Sequence, residues 1–549
     1  MTSLTTLLGR RAVLDYARRP LNLVLLVAVP VVIVFVWGAA LADFSKIILG
    51  GLGDRAQIEA ATAGWAAAAL AGLAGFFQVT GSRRVDHRLA AAGGRSAPVV
   101  AGRLAASLAL AVLAGAGGLT ALAARTGISH PARAVAATLV VGVIYVSLGV
   151  LVGTSVRSEL NGALVISLVW VFDVFFGPAL GPGSSMATRL FPLHFPTLVL
   201  VGQASGHAGP LGDVGWSVVW GVGLATMATV RLALTTRPAR RPVAKADAVV
   251  ESLMPLRTKR RSIESTRPVA DSVGLAVNAL SGRISTGPAS LSAAGRIAAV
   301  LRSGFREYRR NRVLWILLVA VPAVFIGMAV VVTVDEPGPI ALVEGTRHFT
   351  ALLSERRMHA ATMVPITSAF LAGITGLFVV TESADGDRRL VLAGFCSREV
   401  LAGRLGVIGA ATVVTTAVAV TVSGAWYPPR QWLVFVGANV LIALTYAMIG
   451  VLVGPLTGRL GGLYLILMLA FIDVGLGQSV MFPNGPPAWG AFLPARGASQ
   501  VMIDGAFTER FDQAGALLLG LVWLAAFSAV AAVVFRLRTR VAVRLSANV

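Results

Sequence analysis

Asp86-His-Arg-Leu-Ala-Ala-Ala-Gly93, followed by Ala101-Gly-Arg-Leu104, occurs twice in this chain with small changes. The second copy reads Asp387-Arg-Arg-Leu-Val-Leu-Ala-Gly394 and Ala402-Gly-Arg-Leu405. Apolar matches arise easily by chance in a chain rich in Ala and Leu, whereas charged residues that match in register over this length do not. Each copy lies in a polar loop between two long apolar segments. The repetition therefore predicts two homologous halves, each organised around one such loop.

The composition predicts a membrane protein. Of the 549 residues, 56% are hydrophobic and 13% are charged, which excludes an ordinary soluble domain. Apolar runs of about 20 residues recur, long enough to cross roughly 30 Å of hydrocarbon. The formal net charge of +22 comes from arginines at the ends of these runs and in a central linker, a positive-inside pattern that does not indicate nucleic acid. The single cysteine, Cys396, excludes an internal disulfide.

The apolar runs predict twelve transmembrane helices, six in each half. They are expected at about 21–41, 61–80, 99–124, 134–154, 160–177 and 214–234, and then at 313–334, 361–381, 405–425, 432–453, 462–480 and 514–535. An amphipathic helix is expected before each half. Because the number of spans per half is even, the repeats are parallel. The predicted fold class is an all-α polytopic membrane protein with two parallel six-helix repeats.

Three segments follow from this pattern: a first half at 1–234, a basic linker at 235–295 and a second half at 296–549. The linker mixes Arg, Pro, Ser and Thr with few large apolar residues, which is typical of a solvated segment. The density of arginine places the polar loops, the linker and both termini in the cytoplasm. The predicted location is the bacterial plasma membrane.

The sequence contains no recognisable catalytic motif. None of the three lysines lies in a phosphate-binding Gly-x-x-x-x-Gly-Lys-Ser/Thr motif, and the six histidines lack the spacing of metal ligands. We therefore expect no enzyme activity, no metal and no cofactor in this chain. Transport becomes the leading class, with energy supplied by a partner or by an ion gradient.

The amphipathic helix before each half and the polar loop after each second span resemble the membrane subunits of ATP-binding-cassette exporters of the type-2 permease class. The chain is similar in particular to bacterial drug and antibiotic exporters with two fused permease halves, such as the tetronasin type. The resemblance covers both halves and rests on architecture and internal repetition. It implies a separately encoded ATPase, as a homodimer that carries ATP and Mg, and export of bulky amphipathic compounds.

The resemblance also implies roles for individual residues. Coupling to the ATPase would fall on Asp86, Arg88, Leu89, Glu382, Asp387, Arg389 and Leu390. The substrate path, formed in this class by the second and fifth spans, would include Phe76, Phe77, Trp170, Phe172, Phe370, Phe378, Met468 and Phe471. Such an aromatic lining suits uncharged or weakly cationic compounds.

One carboxylate near the outer end of each fifth span, Asp173 and Asp473, needs a separate explanation. A charged side chain at the centre of a membrane helix costs about 2.5–3.5 kcal/mol to insert, so it requires a compensating partner. Each could cap the outer segment by pairing with Arg189 or His194 in the first half and with Arg496 in the second. Alternatively, the two carboxylates form an outer gate.

Two other classes fit the composition less well. A proton-coupled multidrug antiporter of the major-facilitator type also has twelve spans, but its loop motif needs Gly-x-x-x-Asp. Here Gly81 and Asp86 are one residue too far apart, and Gly386 and Asp387 are adjacent. A membrane transferase would need a carboxylate-rich loop, and the single such cluster is Asp504, Glu509 and Asp512.

Overall fold

The fold is taken from a computed structural model of the 549-residue chain. It describes residues 20–48, 54–91, 96–156, 158–180, 186–202, 209–236, 292–344, 347–482 and 485–547, and Thr6, Gly9, Arg10 and Leu14. The segment before residue 20, where the first amphipathic helix is expected, and the linker predicted at 235–295 lie almost wholly outside these residues.

The first predicted half is helical throughout its described part. Its helices are α1 (Pro20–Val32), α2 (Gly38–Ile48), α3 (Arg55–Ala91), α4 (Ser96–Arg125), α5 (Pro131–Ser155), α6 (Glu159–Phe175), α7 (His194–Val201) and α8 (Gly212–Thr235). A π-helical segment, Ile33–Trp37, joins α1 to α2, and 3-10 turns occur at Met186–Leu190 and Gly209–Leu211.

The second predicted half contains helices and two strands. Its elements are α9 (Ala293–Arg310), α10 (Arg312–Val332), β1 (Pro337–Glu344), β2 (Arg347–Ser354), α11 (Glu355–Leu392), α12 (Ser397–Gly424), α13 (Trp432–Leu469), α14 (Arg496–Phe507) and α15 (Ala514–Ala547). A π-helical segment, Ala470–Gly477, continues α13, and a 3-10 turn lies at Ala488–Phe492. Helix α9 is the amphipathic helix predicted before this half.

Among the described residues, ten helices are long and apolar enough to cross a membrane, which confirms a helical, multi-span chain. The twelve predicted spans differ from these ten helices at one place in each half. Helix α6 has only 17 residues. The spans predicted at 432–453 and 462–480 form one run, Trp432–Gly477, of 46 residues. Gly458 interrupts that run with φ 76° and ψ −176°, a conformation open almost only to glycine.

The two strands form an antiparallel hairpin that was not predicted from the sequence, so the described residues are helical with one small sheet. Strands β1 and β2 pair with Ile340 opposite Ala351 and with Leu342 opposite Phe349. Ile340 and Leu342 are buried, whereas Phe349 is exposed. Strand β1 packs against α14, which accounts for burial of one face of so short a hairpin.

Among the candidate spans of the described residues, helices α3 and α11 are the most buried. In their apolar segments, 89% and 100% of the residues are buried. Close backbone contacts surround each of them. A Cβ on Gly149 of α5 would lie 2.0 Å from the Gly72 carbonyl oxygen of α3, and a Cβ on Gly450 of α13 would lie 2.0 Å from that of Gly373 in α11. Small residues allow two helix backbones to approach this closely. Such close packing stabilises helix pairs in lipid, where the hydrophobic effect does not drive their association. Helices α8 and α15 lie at the periphery, with apolar exposed faces that suit lipid.

Replacing Gly450 by Ala is expected to lower the free energy of unfolding by about 1–3 kcal/mol, because the new methyl group forces α11 and α13 apart. The measurement is the thermal unfolding midpoint of the detergent-purified chain. The matched control is Gly437→Ala on the same helix, where a Cβ meets no atom within 4 Å. That variant should be as stable as the parent or gain up to about 1 kcal/mol. Equal midpoints for the two variants would contradict the close packing.

Candidate functional site

The polar stretches that define the repeat are helical extensions of membrane helices, not loops. Helix α3 continues through Asp86 to Ala91, and helix α11 continues through Asp387 to Leu392. The stretches contain Arg, Leu and Ala, which are strong helix formers, so the helix continues past the apolar run. Each extension is therefore continuous with the span that precedes it.

In the first half, the motifs Asp86–Gly93 and Ala101–Leu104 each contribute one residue to an ion pair. Asp86 Oδ1 accepts from Arg103 Nη2 at 3.1 Å, and Asp86 Oδ2 accepts from Ser82 Oγ at 2.9 Å. The Asp86 side chain is 5% exposed. A carboxylate that is so buried needs a partner to offset its desolvation. The pair fixes the extension of α3 against the start of α4.

The second half has the same arrangement with one more hydrogen bond. Asp387 Oδ1 accepts from Arg404 Nε at 3.1 Å and from Arg404 Nη2 at 2.9 Å. Ser383 Oγ donates to Asp387 Oδ2 at 2.9 Å. We call the end of the bundle that carries these two pairs, Asp86–Arg103 and Asp387–Arg404, the ion-paired end.

The seven residues predicted to couple to an ATPase separate into two groups. Asp86 and Asp387 face inward and hold the extensions in place, so they do not present their charge to a partner. Arg88, Glu382 and Arg389 are exposed, and Leu89 and Leu390 are half-buried. The structure thus leaves Arg88, Arg389 and Glu382 available at the surface, with the aspartates as positioning residues.

A cavity of about 1010 Å³ lies between the two extensions. Its walls come from both halves, including Phe77, Val85 and Leu89 of α3 and Val380 and Arg388 of α11. Pockets for drug-sized ligands run from roughly 300 to 1,000 Å³, so this one is large enough for a bulky compound.

The two halves meet at both ends of this cavity. The rings of Phe77 and Phe378 stack with centroids 6.4 Å apart and planes 7° from parallel. Phe77 lines the cavity at its deeper end and Phe378 is fully buried behind it. Nearer the ion-paired end, Arg459 Nη1 donates to Glu159 Oε1 at 2.5 Å. Neither residue of that ion pair was predicted, because the partners lie far apart in the chain.

A smaller cavity of about 70 Å³ lies toward the opposite end, again between the halves. Trp37 and Phe471 line it and make an edge-to-face contact at 5.2 Å. Both residues belong to π-helical segments, which are frequent at functional sites. Phe370 packs against Phe471 at 6.0 Å. Trp37 was missed because the π-helical segment that turns it inward has no distinct sequence signal.

Four of the eight predicted path residues therefore lie at the junction of the halves: Phe77, Phe378, Phe370 and Phe471. The other four do not join them. Phe76 is fully buried beside Gly162, and Trp170 donates to the Trp65 carbonyl oxygen at 2.8 Å. Phe172 stacks with Phe176 and Phe191, and Met468 packs against the main core.

Asp173 and Asp473 occupy matching sites at the end opposite the ion pairs, and both are fully buried. Asp173 accepts hydrogen bonds from the Tyr145 hydroxyl and from the Leu193 amide, the latter at 3.2 Å. Asp473 Oδ2 accepts from the Tyr446 hydroxyl and from the Ala495 amide, both at 2.9 Å. Each carboxylate thus ties its span to the segment that follows.

These partners differ from those expected for the second half. Arg496 reaches Asp473 through Gln478: Gln478 Nε2 donates to Asp473 Oδ1 at 3.2 Å, and Arg496 Nη1 donates to Gln478 Oε1 at 3.4 Å. The Tyr446 hydroxyl, the Ala495 backbone amide and the Gln478 side-chain amide, all neutral, therefore satisfy the carboxylate directly. This geometry favours the capping role, while the gate hypothesis stays untested.

Potential metal ligands do not cluster in the part of the chain that the structure describes. Neither a protein-family model nor a curated protein matches the chain.

Asp387→Ala is expected to lower the free energy of unfolding by about 3–5 kcal/mol, since it leaves the Arg404 guanidinium buried without its carboxylate. Adding Arg404→Met should recover part of that loss, because no unpaired charge stays buried. Thermal unfolding midpoints of the purified variants provide the measurement.

The control for this series is Asp385→Ala on the same helix. Asp385 is 88% exposed and lies 3.7 Å from Arg388, a contact that contributes about 0–1 kcal/mol at most. A midpoint for Asp387→Ala that matches this control would show that the buried pair does not stabilise the fold.

Asp473→Asn is expected to cost about 1–3 kcal/mol of stability. Asp473 accepts on both oxygens, whereas an amide presents an NH₂ group to one set of these donors and leaves it unsatisfied. Tyr446→Phe removes one donor alone and should cost less, about 1 kcal/mol. The measurement is the thermal unfolding midpoint of each variant, and the exposed variant Asp385→Asn is the control. An unchanged midpoint for Asp473→Asn would rule out the capping role.

Proposed function

We propose that the chain is the transmembrane subunit of an exporter that moves bulky amphipathic compounds out of a bacterial cell. A separate ATPase subunit supplies the energy and binds ATP and Mg. The observation that carries this proposal is the large cavity between the halves, framed by two matching ion-paired helical extensions. The cavity offers room for a compound, and the extensions offer two equivalent docking points for an ATPase dimer.

The proposal includes two parallel repeats related by an axis along the membrane normal. Two contacts across the halves support it, because each joins equivalent positions. Phe77 and Phe378 occupy the same place in α3 and α11. Glu159-Leu-Asn-Gly162 aligns with Arg459-Leu-Gly-Gly462, so Glu159 and Arg459 are also equivalent. Equivalent residues of two related units touch each other only near the symmetry axis.

Twelve spans are part of the same proposal. Helix α6 starts at Glu159, and the equivalent Arg459 directly follows the break at Gly458. The break therefore marks the boundary between the fourth and fifth spans in the second half. In the first half the same boundary is the interval between α5 and α6.

The ion-paired end is assigned to the cytoplasm. Its exposed positive residues include Arg88, Arg388, Arg389 and Arg398, and positive residues concentrate on the cytoplasmic side of membrane proteins. The cavity then opens toward the cytoplasm, where an exported compound is collected and where an ATPase is available.

In this mechanism the chain performs positioning and no covalent chemistry. The ATPase contacts exposed residues such as Arg88 and Arg389, and the buried aspartates keep each extension rigid. Movement of an extension is thereby transmitted along α3 or α11 to Phe77 and Phe378. When the halves separate at these rings, the compound passes from the large cavity toward the small one beside Trp37 and Phe471.

A proton-coupled antiporter is the second candidate, because Asp173 and Asp473 are buried carboxylates within a membrane protein. Their hydrogen bonds to tyrosines and to backbone amides serve local structure, and neither residue lines either of the two cavities described above. The observation therefore favours this candidate less than the cavity favours the exporter.

We expect an ATPase to copurify with the chain from its native host, and the complex to hydrolyse ATP. Arg389→Glu should reduce that turnover several-fold, because a reversed charge at an exposed coupling position weakens docking by about 1 kcal/mol or more. Arg510→Glu, which is exposed at the opposite end, is the control and should not alter turnover.

A proton gradient provides the opposing test. If the purified chain alone, in proteoliposomes and without ATPase, accumulates an amphipathic dye in response to a pH gradient, the exporter proposal is overturned.

A further inference from the structure

The charges around the large cavity are unequal. Among the described residues that line it, the four arginines are Arg103, Arg388, Arg459 and Arg538, and the two acidic residues are Glu159 and Asp387. Four positive and two negative charges leave an excess of two positive charges. A cleft with one dominant sign of charge concentrates ligands of the opposite sign.

Most of these charges are already paired at short distance. Arg103 binds Asp86 at 3.1 Å, and Arg459 binds Glu159 at 2.5 Å. Asp387 binds Arg404, which lies behind the cavity wall, at 2.9 Å. These pairs leave Arg388 and Arg538 as the source of the excess.

Arg388 of α11 and Arg538 of α15 line the same cavity. Arg388 has a contact with Asp385 at 3.7 Å, but both side chains are more than half exposed and water screens the pair. Two guanidinium groups on the wall of one cavity, with little compensating negative charge, form a site that an anion would stabilise.

The rest of the wall is suited to an apolar tail. Phe77, Val380, Leu456, Leu460 and Phe535 line the same cavity. Burial against such a wall contributes roughly 25 cal/mol per Å² of apolar surface. The cavity therefore combines an anion-binding pair with a large apolar surface.

We propose that this cavity binds amphipathic compounds with an anionic head group, held by Arg388 and Arg538, and with the apolar tail along Phe77 and Phe535. Its physiological meaning, an anionic export substrate, rests on the proposed exporter function. The aromatic residues alone favour uncharged or weakly cationic compounds, whereas the arginines beside them favour an anion.

The test uses the purified full-length chain in phosphatidylcholine nanodiscs, without ATPase or transport. The probes are dansyl-labelled undecanoate and the corresponding primary amide, which share a tail and differ in charge. Fluorescence titration, corrected with empty nanodiscs, gives both dissociation constants. Because hydrogen bonds to charged groups are stronger than neutral ones, the carboxylate should bind about ten-fold more tightly or better.

Arg388→Gln and Arg538→Gln should each reduce this preference, and the double variant should remove it while binding of the amide is unchanged. Arg398→Gln is the matched control: it is an exposed arginine at the ion-paired end that does not line the cavity. Unfolding midpoints equal to the parent's verify that the variants are folded.

The proposal is overturned if the parent binds both probes equally, binds neither, or keeps its preference in the double variant. Adding phosphatidylglycerol to the nanodiscs identifies the source of the anion. Displacement of the carboxylate probe assigns the site to a membrane lipid, and retained binding assigns it to a soluble amphipath; both outcomes support anion recognition. Because no ATPase is present, failure of the exporter proposal leaves this result unaffected.

Discussion

The buried pairing of an aspartate at the end of one membrane helix with an arginine at the start of the next sets the geometry of each half. Asp86 and Asp387 are both almost fully enclosed, and either would cost several kcal/mol if its arginine were out of reach. The consecutive helices must therefore keep the rotation and depth that bring the two groups together. The faces that α3 and α11 turn toward each other, including Phe77 and Phe378, follow from that constraint.

Where the halves touch, the space between them is closed, and where they diverge it opens. The ring stack of Phe77 on Phe378 and the ion pair of Glu159 with Arg459 lie at different depths along the same junction. The large cavity extends beside these contacts and the small one lies beyond the aromatic pair. The glycine contacts of Gly149 and Gly450 keep each half compact beside this junction.

The periodicity of apolar residues predicted the long helices. It did not predict which side of a helix each aromatic or charged side chain faces. The long apolar runs were sufficient to predict the ten long apolar helices, and the amphipathic pattern of α9 was sufficient to predict the helix before the second half. Phe76 and Phe77 are adjacent, yet about 100° of helical rotation buries one inside its own half and places the other on the cavity. Arg388 lines the cavity for the same reason, whereas the neighbouring Arg389 was the one predicted to be functional. The hairpin lacked a strong turn motif.

The ion pair of Glu159 with Arg459 has a consequence for how such a protein can be assembled. On a two-fold axis, the subunits of a homodimer bring identical residues together, so a dimer of first halves would oppose two glutamates and a dimer of second halves two arginines. Under the proposed two-fold relation of the halves, Glu159 and Arg459 pair when one copy of each half is present. The covalent connection between the halves supplies one copy of each, and with it both residues of this ion pair.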